Sequence, residues 1–182
     1  MSSDVLFASS NKNKFEEAEK ILSNYKINLV FFNTNLIEIQ DDSISEIATQ
    51  KVKDAFNISQ KPTIVEDDGL FIDSLNGFPG PYSSFIFKTI GNNGILELVG
   101  PNRNAKFVSV IAYFDGKNIE IFESSINGTI SEQPRGDGWG YDPIFIPENQ
   151  NQTYAELIDK NQISHRYESL SKFASWFLNR QE

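Results

Sequence analysis

Short apolar strands and amphipathic helices alternate along the N-terminal part of the chain. Asp4–Ser9, Lys26–Phe32 and Thr63–Val65 each have the apolar content of a buried strand. Between them lie two helical patterns, Asn11–Ser23 and Ser43–Phe56, in which apolar residues recur every three to four positions. Strands that alternate with helices in this way are typical of an α/β fold, in which helices cover a sheet.

The later part of the chain continues the mixture of strands and helices. Glycine and proline in Asn76–Pro81 predict a rigid loop. Lys106–Phe114 and Asn118–Glu123 predict the two strands of a hairpin. Pro143–Ile146 predicts another strand, and a last helix is predicted from about Ser164.

Composition excludes several classes of protein. The 182 residues include no Cys, which excludes a disulfide scaffold and cysteine catalysis. The formal charge of −9 argues against nucleic acid as a partner. Neither a signal pattern nor an apolar run long enough to cross a membrane is visible. We therefore expect a cytoplasmic protein with one domain, built in one or two lobes, over residues 1–182.

The first strand-to-helix junction has the features of a phosphate site. A helix N-terminus carries unpaired N–H groups and a partial positive charge, which favour an anion. The candidate phosphate-binding residues are consecutive in the sequence: Ser9, Ser10, Asn11, Lys12, Asn13 and Lys14. The alternative is an ordinary capped surface helix.

Three adjacent carboxylates, Glu66, Asp67 and Asp68, follow the strand Thr63–Val65. A divalent cation would relieve their mutual repulsion. Ligands of α/β proteins commonly bind outside the carboxyl ends of the strands, where this prediction puts the three acids. The alternative is a solvated acidic turn.

A glycine-rich loop and the last helix supply candidates for base recognition. In Gly138–Pro143, glycines flank Trp139, an arrangement that lets a flat ring stack on a base. Lys160, His165 and Arg166 could donate hydrogen bonds to an oxygen-rich ligand edge. The alternatives are a tight loop around a core Trp and a structural or exposed His.

Several well-known motifs are absent from the sequence. It has no P-loop G-x-x-x-x-G-K-[ST], and Tyr141 stands where the dinucleotide fingerprint requires Gly. No G-x-S-x-G nucleophile motif is present. One His and no Cys would make an unusual zinc site.

From about Leu6 to Phe177 the chain resembles the inosine/xanthosine triphosphate pyrophosphatase family. Seven stretches match in register, and together they are very specific. They are Ser9-Ser10-Asn11-x-x-Lys14, Glu38-Ile39-Gln40, Val65-Glu66-Asp67-Asp68-Gly69-Leu70, Leu75–Ser83, Gly138–Phe145, Thr153-Tyr154-Ala155-Glu156 and Ile163-Ser164-His165-Arg166.

The resemblance implies a two-lobed α/β fold with an elongated mixed sheet flanked by helices and an active-site cleft between the lobes. It implies a homodimer that hydrolyses ITP, dITP and XTP to monophosphate and pyrophosphate and so removes them from the nucleotide pool. Mg²⁺ is the implied cofactor, with Mn²⁺ as a substitute. Glu38 and Asp67 are the implied metal ligands, and Asp67 also accepts the proton. The implied substrate-binding residues are Ser9, Ser10, Asn11, Lys12, Asn13, Lys14, Asp68, Trp139, Gly140, Tyr141, Asp142, Lys160, His165 and Arg166.

This chain departs from the family pattern at three positions. Asp68 stands where relatives usually carry Ser or Thr, so a third carboxylate would bind metal or weaken triphosphate binding. Trp139 replaces Phe and should still stack. The stretch before Lys160 is about two residues shorter than is common, which makes the match at Lys160 less secure than at His165 and Arg166.

The sequence leaves some choices open. Glu66 is an alternative to Asp67 as proton acceptor, and either Lys51 or Lys53 would assist at the phosphates. Donors from His165, Arg166 or loop N–H groups would pair with a purine 6-oxygen, whereas the amino group of ATP would face them donor to donor. The rival functions are a pyrophosphatase for modified pyrimidine triphosphates and a nucleotide-binding module disarmed by Asp68.

Overall fold

The computed structural model describes residues 4–180 and has an α/β fold built on a mixed seven-stranded sheet. Its strands are β1 Val5–Ser9, β2 Leu29–Asn33, β3 Thr63–Ile72, β4 Pro79–Gly80, β5 Asn104–Phe114, β6 Ile119–Ile130 and β7 Phe145–Pro147. Its helices are α1 Lys12–Ser23, α2 Ile44–Ser59, α3 Ser83–Thr89, α4 Gly91–Leu98, α5 Lys160–Ile163 and α6 His165–Asn179, with a short 3₁₀ turn at Asp73–Leu75.

The sheet has the strand order β2-β1-β3-β5-β6-β7, and β4 pairs with β3. The pairs β1–β2 and β1–β3 are parallel, as connections through helices allow. The pairs β3–β4 and β6–β7 are antiparallel. The presence of both parallel and antiparallel pairs confirms the predicted α/β fold with a mixed sheet.

The chain divides into two compact units. Among the described residues, the first consists of 4–67, Ser109–Ser124 and 166–180. The second consists of Asp68–Val108 and Ser125–His165. Strands β3, β5 and β6 each contribute residues to both units. The cleft predicted between lobes, and the treatment of the chain as a single domain, stay predictions.

Each unit has its own apolar core. The predicted faces of the helices in the first unit are buried, with Ala18 and Leu22 on α1 and Leu170 and Phe173 on α6 fully excluded from solvent. The core of the second unit is rich in aromatic residues: Phe107, Tyr141, Phe145 and Tyr154 pack with Leu70, Ile72 and Ile95. Burial of these faces removes apolar surface from water and supplies the main driving force for folding.

Strand β3 is longer than the sequence predicts. The strand was expected to end at Val65, but it continues to Ile72, so that Glu66, Asp67 and Asp68 lie inside it. The expectation that these acids follow the strand's carboxyl end was therefore wrong. Asp is depleted from strands, but here hydrogen-bonding partners from other elements accommodate the carboxylates, and this tertiary context overrides local propensity.

Two other predicted strands begin later than expected. Residues 26–28 precede β2 because Lys26 adopts a left-handed backbone with φ 59° after the end of α1. The strand predicted from Pro143 begins at Phe145, since residues 141–144 form a turn in which the Ile144 N–H donates to the Tyr141 carbonyl. The predicted hairpin is confirmed as β5 and β6, and the Asp115 carboxylate accepts the Lys117 and Asn118 N–H groups in its turn.

Candidate active site

The N-terminus of α1 is capped by its own sequence. Asn11 Oδ1 accepts the N–H groups of Asn13 and Lys14 at 3.0 and 3.4 Å, and the Asn11 N–H donates to Ser9 Oγ. Ser10 and Lys12 are exposed, whereas Lys14 is half-buried. The six consecutive residues predicted to bind phosphate thus surround one well-formed helix start, where a positive potential is available to an anion.

Lys51 joins the two carboxylates that the resemblance implies as metal ligands. Its ammonium donates to Glu38 Oε1 at 2.8 Å and to Asp67 Oδ1 at 3.0 Å. Lys51 is only 9% exposed, whereas Lys53 on the same helix is exposed. Lys51 therefore lies at the acidic pair and Lys53 does not, whereas the choice between them as the lysine that assists at the phosphates stays open.

A helical pattern in the sequence already distinguishes Lys51 from Lys53. Lys51 follows Ile44 by seven residues and Ala48 by three, so it lies on the buried face of α2. A lysine at such a position needs an anionic partner, because burial of an unpaired charge is costly. This periodicity could have identified Lys51 without the structure.

Asp67 has the features of a reactive carboxylate. Burial raises the pKa of its carboxyl, and the charges of Lys51 and Lys14 only partly oppose this effect. Oδ2 is buried and has no hydrogen-bond partner within residues 4–180. A buried carboxylate oxygen with unused acceptor capacity can take up a proton or a cation.

Glu66, the neighbour of Asp67, is already engaged. Its side chain is fully excluded from solvent and accepts hydrogen bonds from Ser109 Oγ at 3.1 Å and from Arg166 Nε at 2.8 Å. Arg166 also pairs through Nη1 with Glu17 on α1. Side chains alternate along a strand, so Glu66 points away from the face that presents Asp67. These contacts favour Asp67 over Glu66 as the proton acceptor.

The ion pairs that Arg166 forms in the structure were not predicted from the sequence. The guanidinium is 1% exposed and is held by two carboxylates of the first unit, Glu17 and Glu66. The predicted contact between Arg166 and a base stays a prediction. Glu17 was missed because nothing in the local sequence marks it as the partner of a residue far along the chain.

His165 lies in the second unit beside Asp68. Its Nε2 atom is 3.9 Å from Asp68 Oδ2, and its ring stacks on Phe107 with 4.3 Å between centroids and 5° between planes. His165 is 2% exposed. Stacking on Phe107 therefore fixes the imidazole plane, and the Asp68 carboxylate lies near one ring nitrogen.

The glycine-rich loop brings three predicted base-site residues together. The Lys160 ammonium donates to Asp142 Oδ2 at 2.6 Å and lies 5.2 Å from the centroid of the Trp139 ring. Lys160 and Asp142 are buried, while Trp139 is half-buried. The contacts support the less secure match of Lys160, since they tie it to the loop that carries Trp139. A cation over an indole face is attracted by the ring's quadrupole.

Tyr141 and Gly140 are fixed by neighbouring helices of the second unit. The Tyr141 hydroxyl donates to the Ser83 carbonyl at 2.9 Å, and burial raises the pKa of that hydroxyl. Asn92 Nδ2 donates to the Gly140 carbonyl at 3.1 Å. The Tyr141 side chain thus belongs to the core, so that a substrate contact there would have to use the backbone.

Comparisons with known proteins all point to one protein family. Residues 5–176 match the model of the Ham1 family. A dITP/XTP pyrophosphatase of Korarchaeum cryptofilum is 47% identical over 177 residues, and one of Methanopyrus kandleri is 48% identical over 181 residues; each alignment covers 96% of both chains.

Solved structures agree with these relatives. A HAM1 protein from Coxiella burnetii has a TM-score of 0.85 at 30% identity, over 97% of this chain and 98% of that chain. The Staphylococcus aureus Ham1 protein has a TM-score of 0.76 at 25% identity, over 99% and 100% of the two chains. In the part of the chain that the structure describes, no helix is long and apolar enough to cross a membrane.

Proposed function

The chain belongs to the Ham1 family, and from that premise we propose that it hydrolyses the non-standard purine nucleoside triphosphates dITP, ITP and XTP to monophosphate and pyrophosphate. Relatives named dITP/XTP pyrophosphatase match it over nearly their whole length. The observation that carries the proposal is the acidic pair Glu38 and Asp67 around Lys51, with one buried Asp67 oxygen still available. We propose that it removes these nucleotides from the pool in the cytoplasm.

The residues present fit a divalent cation. Mg²⁺ and Mn²⁺ prefer carboxylate oxygens, and Glu38 and Asp67 offer such oxygens close to one cationic atom. The unpartnered Asp67 Oδ2 is the observation that tests this fit, since a buried carboxylate oxygen without a donor is otherwise costly. We therefore assign Glu38 and Asp67 as the metal ligands. When bound, the cation would offset phosphate charge and acidify water.

Asp67 is the proposed general base. In the reaction, a water oxygen forms a bond to the α-phosphorus, the bond from that phosphorus to the bridging oxygen of pyrophosphate breaks, and the water proton passes to Asp67. A raised carboxyl pKa suits this task, because the base must hold a proton near neutral pH. Lys14 and the start of α1 would offset the charge of the departing pyrophosphate.

Trp139, Asp142 and Lys160 form the proposed base site, together with Gly140, Tyr141 and His165. The contacts of Lys160 with Asp142 and with the Trp139 ring support this assignment, because they preorganise a stacking surface beside a donor. A donor that pairs with a purine 6-oxygen would be left unpaired opposite the amino group of ATP. Each buried unpaired donor costs about 1–3 kcal/mol, which is enough to disfavour ATP.

We also propose that the protein is a homodimer. Apolar side chains at the start of α3 and beyond its end are exposed: Tyr82 is 41%, Phe85 65% and Ile90 41% accessible. Exposed apolar groups clustered in one segment of the surface often mark an interface. Phe85→Glu should convert the dimer to a monomer, measured by light scattering after gel filtration, whereas Ile58→Glu, a change at another exposed apolar residue, should not. A wild-type monomer would contradict the proposal.

The decisive experiment measures pyrophosphate release from ITP, XTP, dITP, GTP, ATP and dTTP, each with Mg²⁺ and with EDTA. The proposal expects metal-dependent release from ITP, dITP and XTP and little from the other three. Release mainly from dTTP would favour the pyrimidine-directed rival. Binding of ITP without release of pyrophosphate would favour the binding module disarmed by Asp68.

A further inference from the structure

Lys51 places its ammonium between two carboxylates. Nζ is 2.8 Å from Glu38 Oε1 and 3.0 Å from Asp67 Oδ1. The Lys51 side chain is 11% exposed and that of Asp67 is 15% exposed, so solvent screens this pair only weakly. The Lys51 ammonium thus forms an ion pair with each of the two carboxylates.

A divalent cation bound to the same carboxylates would be repelled by the positive charge of Lys51. Two positive charges within a few ångströms repel strongly where the surroundings are poorly solvated. One oxygen of each carboxylate, Glu38 Oε1 and Asp67 Oδ1, already accepts a hydrogen bond from Lys51, so a metal and the ammonium compete for these two oxygens. Asp67 Oδ2, which has no hydrogen-bond partner among the described residues, lies outside this competition.

We infer that Lys51 acts as an internal cation that holds Glu38 and Asp67 together and keeps the affinity for a divalent cation low until nucleotide is present. The inference rests on the proposed function, since it takes Glu38 and Asp67 as the metal ligands. A triphosphate offers the ammonium a replacement anion and so frees the carboxylates for metal. The protein then takes up metal together with nucleotide and binds metal alone weakly.

The polyphosphate also binds metal directly, so coupling between nucleotide and metal is not by itself diagnostic. The distinguishing property is the affinity for metal alone. Removal of the Lys51 charge should raise that affinity, although it removes a contact from the site. If Lys51 were only a structural neighbour of the acids, its loss would leave metal affinity unchanged or would lower it.

The experiment measures binding of Mg²⁺ by calorimetry and of Mn²⁺ by electron paramagnetic resonance, without nucleotide, in buffer at pH 8.5. Lys51→Met keeps the length of the side chain and removes the charge. It should bind either metal roughly tenfold or more tightly than wild type. Lys53→Met, a change at an exposed lysine two residues along α2, and Lys51→Arg, which keeps the charge, should resemble wild type. If Lys51→Met does not fold, as judged by circular dichroism, Lys51→Gln replaces it.

Unchanged or weaker metal binding by Lys51→Met would overturn the inference. The double variant Lys51→Met/Asp67→Asn should lose the gain, and a gain that persists there would also overturn it. Metal binding with a non-hydrolysable ITP analogue tests the proposed ligands separately. If Asp67→Asn matches wild type with that analogue, the metal assignment itself fails. If Asp67→Asn loses binding while Lys51→Met gains nothing, only the role of Lys51 fails.

Discussion

Arg166 donates a hydrogen bond from Nε to Glu66 Oε2 at 2.8 Å, and both side chains are excluded from solvent. The two residues are a hundred positions apart, on α6 and β3. A second carboxylate, Glu17 of α1, also holds the guanidinium. Arg166 therefore ties α1, β3 and α6 together, and its partner Glu66 directly precedes Asp67 in the sequence.

Loss of the Arg166 charge should destabilise the fold. Arg166→Met would leave two poorly solvated carboxylates without their cation, and removal of one partner from a buried pair typically costs about 3–5 kcal/mol. Urea unfolding should show a loss of this size. A residue that only contacted the base would change KM and leave the free energy of unfolding as it was.

Arg180 provides the control for this measurement. It follows the end of α6 and pairs with Asp115, but its side chain is 38% exposed. Arg180→Met should therefore cost less than Arg166→Met, because solvent reaches the Arg180 guanidinium and screens its charge. Equal losses for the two variants would show that Arg166 has no special structural role.

Asp67→Asn should abolish turnover without weakening the metal-free fold. Burial raises the pKa of Asp67 above 3.8, so ionisation is less favourable in the folded than in the unfolded chain. The folded state thus loses stability as the pH rises from the unfolded pKa through the higher folded pKa. Asn carries no such charge and should be spared that loss, while Lys51 keeps Glu38 as its anionic partner.

Thermal unfolding in EDTA at pH 7.5 and pH 4 checks the predicted direction of this change in stability with pH. Asp67→Asn should melt at or above the wild-type temperature at pH 7.5, and the difference should shrink at pH 4, because the raised pKa of Asp67 favours its neutral form as the pH falls. A variant that melts well below wild type at pH 7.5 only would mean that the Asp67 charge stabilises the fold. Near-normal turnover would remove Asp67 from catalysis.

The periodic parts of the fold could be predicted from the sequence. The apolar stripes of α1, α2 and α6 were identified because a helix that covers a sheet must present apolar residues every three to four positions. Ala18, Ala48 and Leu170 are fully buried on those faces. The hairpin of β5 and β6 followed from the turn residues between them.

The extent of β3 and the environment of its acids could not be predicted from local sequence. Asp and Glu disfavour strands unless something accommodates them, and here the accommodating groups are Lys51, Ser109 and Arg166, all distant in the chain. The same distance hid the pairing of Arg166 with Glu17. Lys51 is different, because its place on the apolar face of α2 was readable from spacing.

Tyr141→Phe should lower the free energy of unfolding and leave KM unchanged. The ring would stay packed edge-on against Phe87, with 5.4 Å between centroids, but the hydrogen bond to the Ser83 carbonyl would be lost. A carbonyl left without its donor in a core costs about 1–2 kcal/mol. Urea unfolding and KM for ITP should be measured together. A higher KM at unchanged stability would mean that the hydroxyl contacts the substrate.

Trp139→Ala should raise KM for every purine triphosphate that the enzyme accepts. Lys160 holds this half-buried ring in place, with its ammonium 5.2 Å from the ring centroid and hydrogen-bonded to Asp142 at 2.6 Å. Stacking of a base on an aromatic side chain is worth about 1–3 kcal/mol, so KM should rise from about fivefold to somewhat over a hundredfold. Because stacking holds substrate and transition state alike, kcat should change little.

Trp139→Phe is the matched control, because it keeps an aromatic face and should leave KM within about threefold of wild type. Lys160→Met tests the support of the ring: it should raise KM less than Trp139→Ala does, since the indole remains but loses the cation that orients it. Steady-state rates with ITP and XTP give both constants. An unchanged KM in Trp139→Ala would mean that the ring only packs against its neighbours, and the base site would then have to be sought away from the glycine-rich loop.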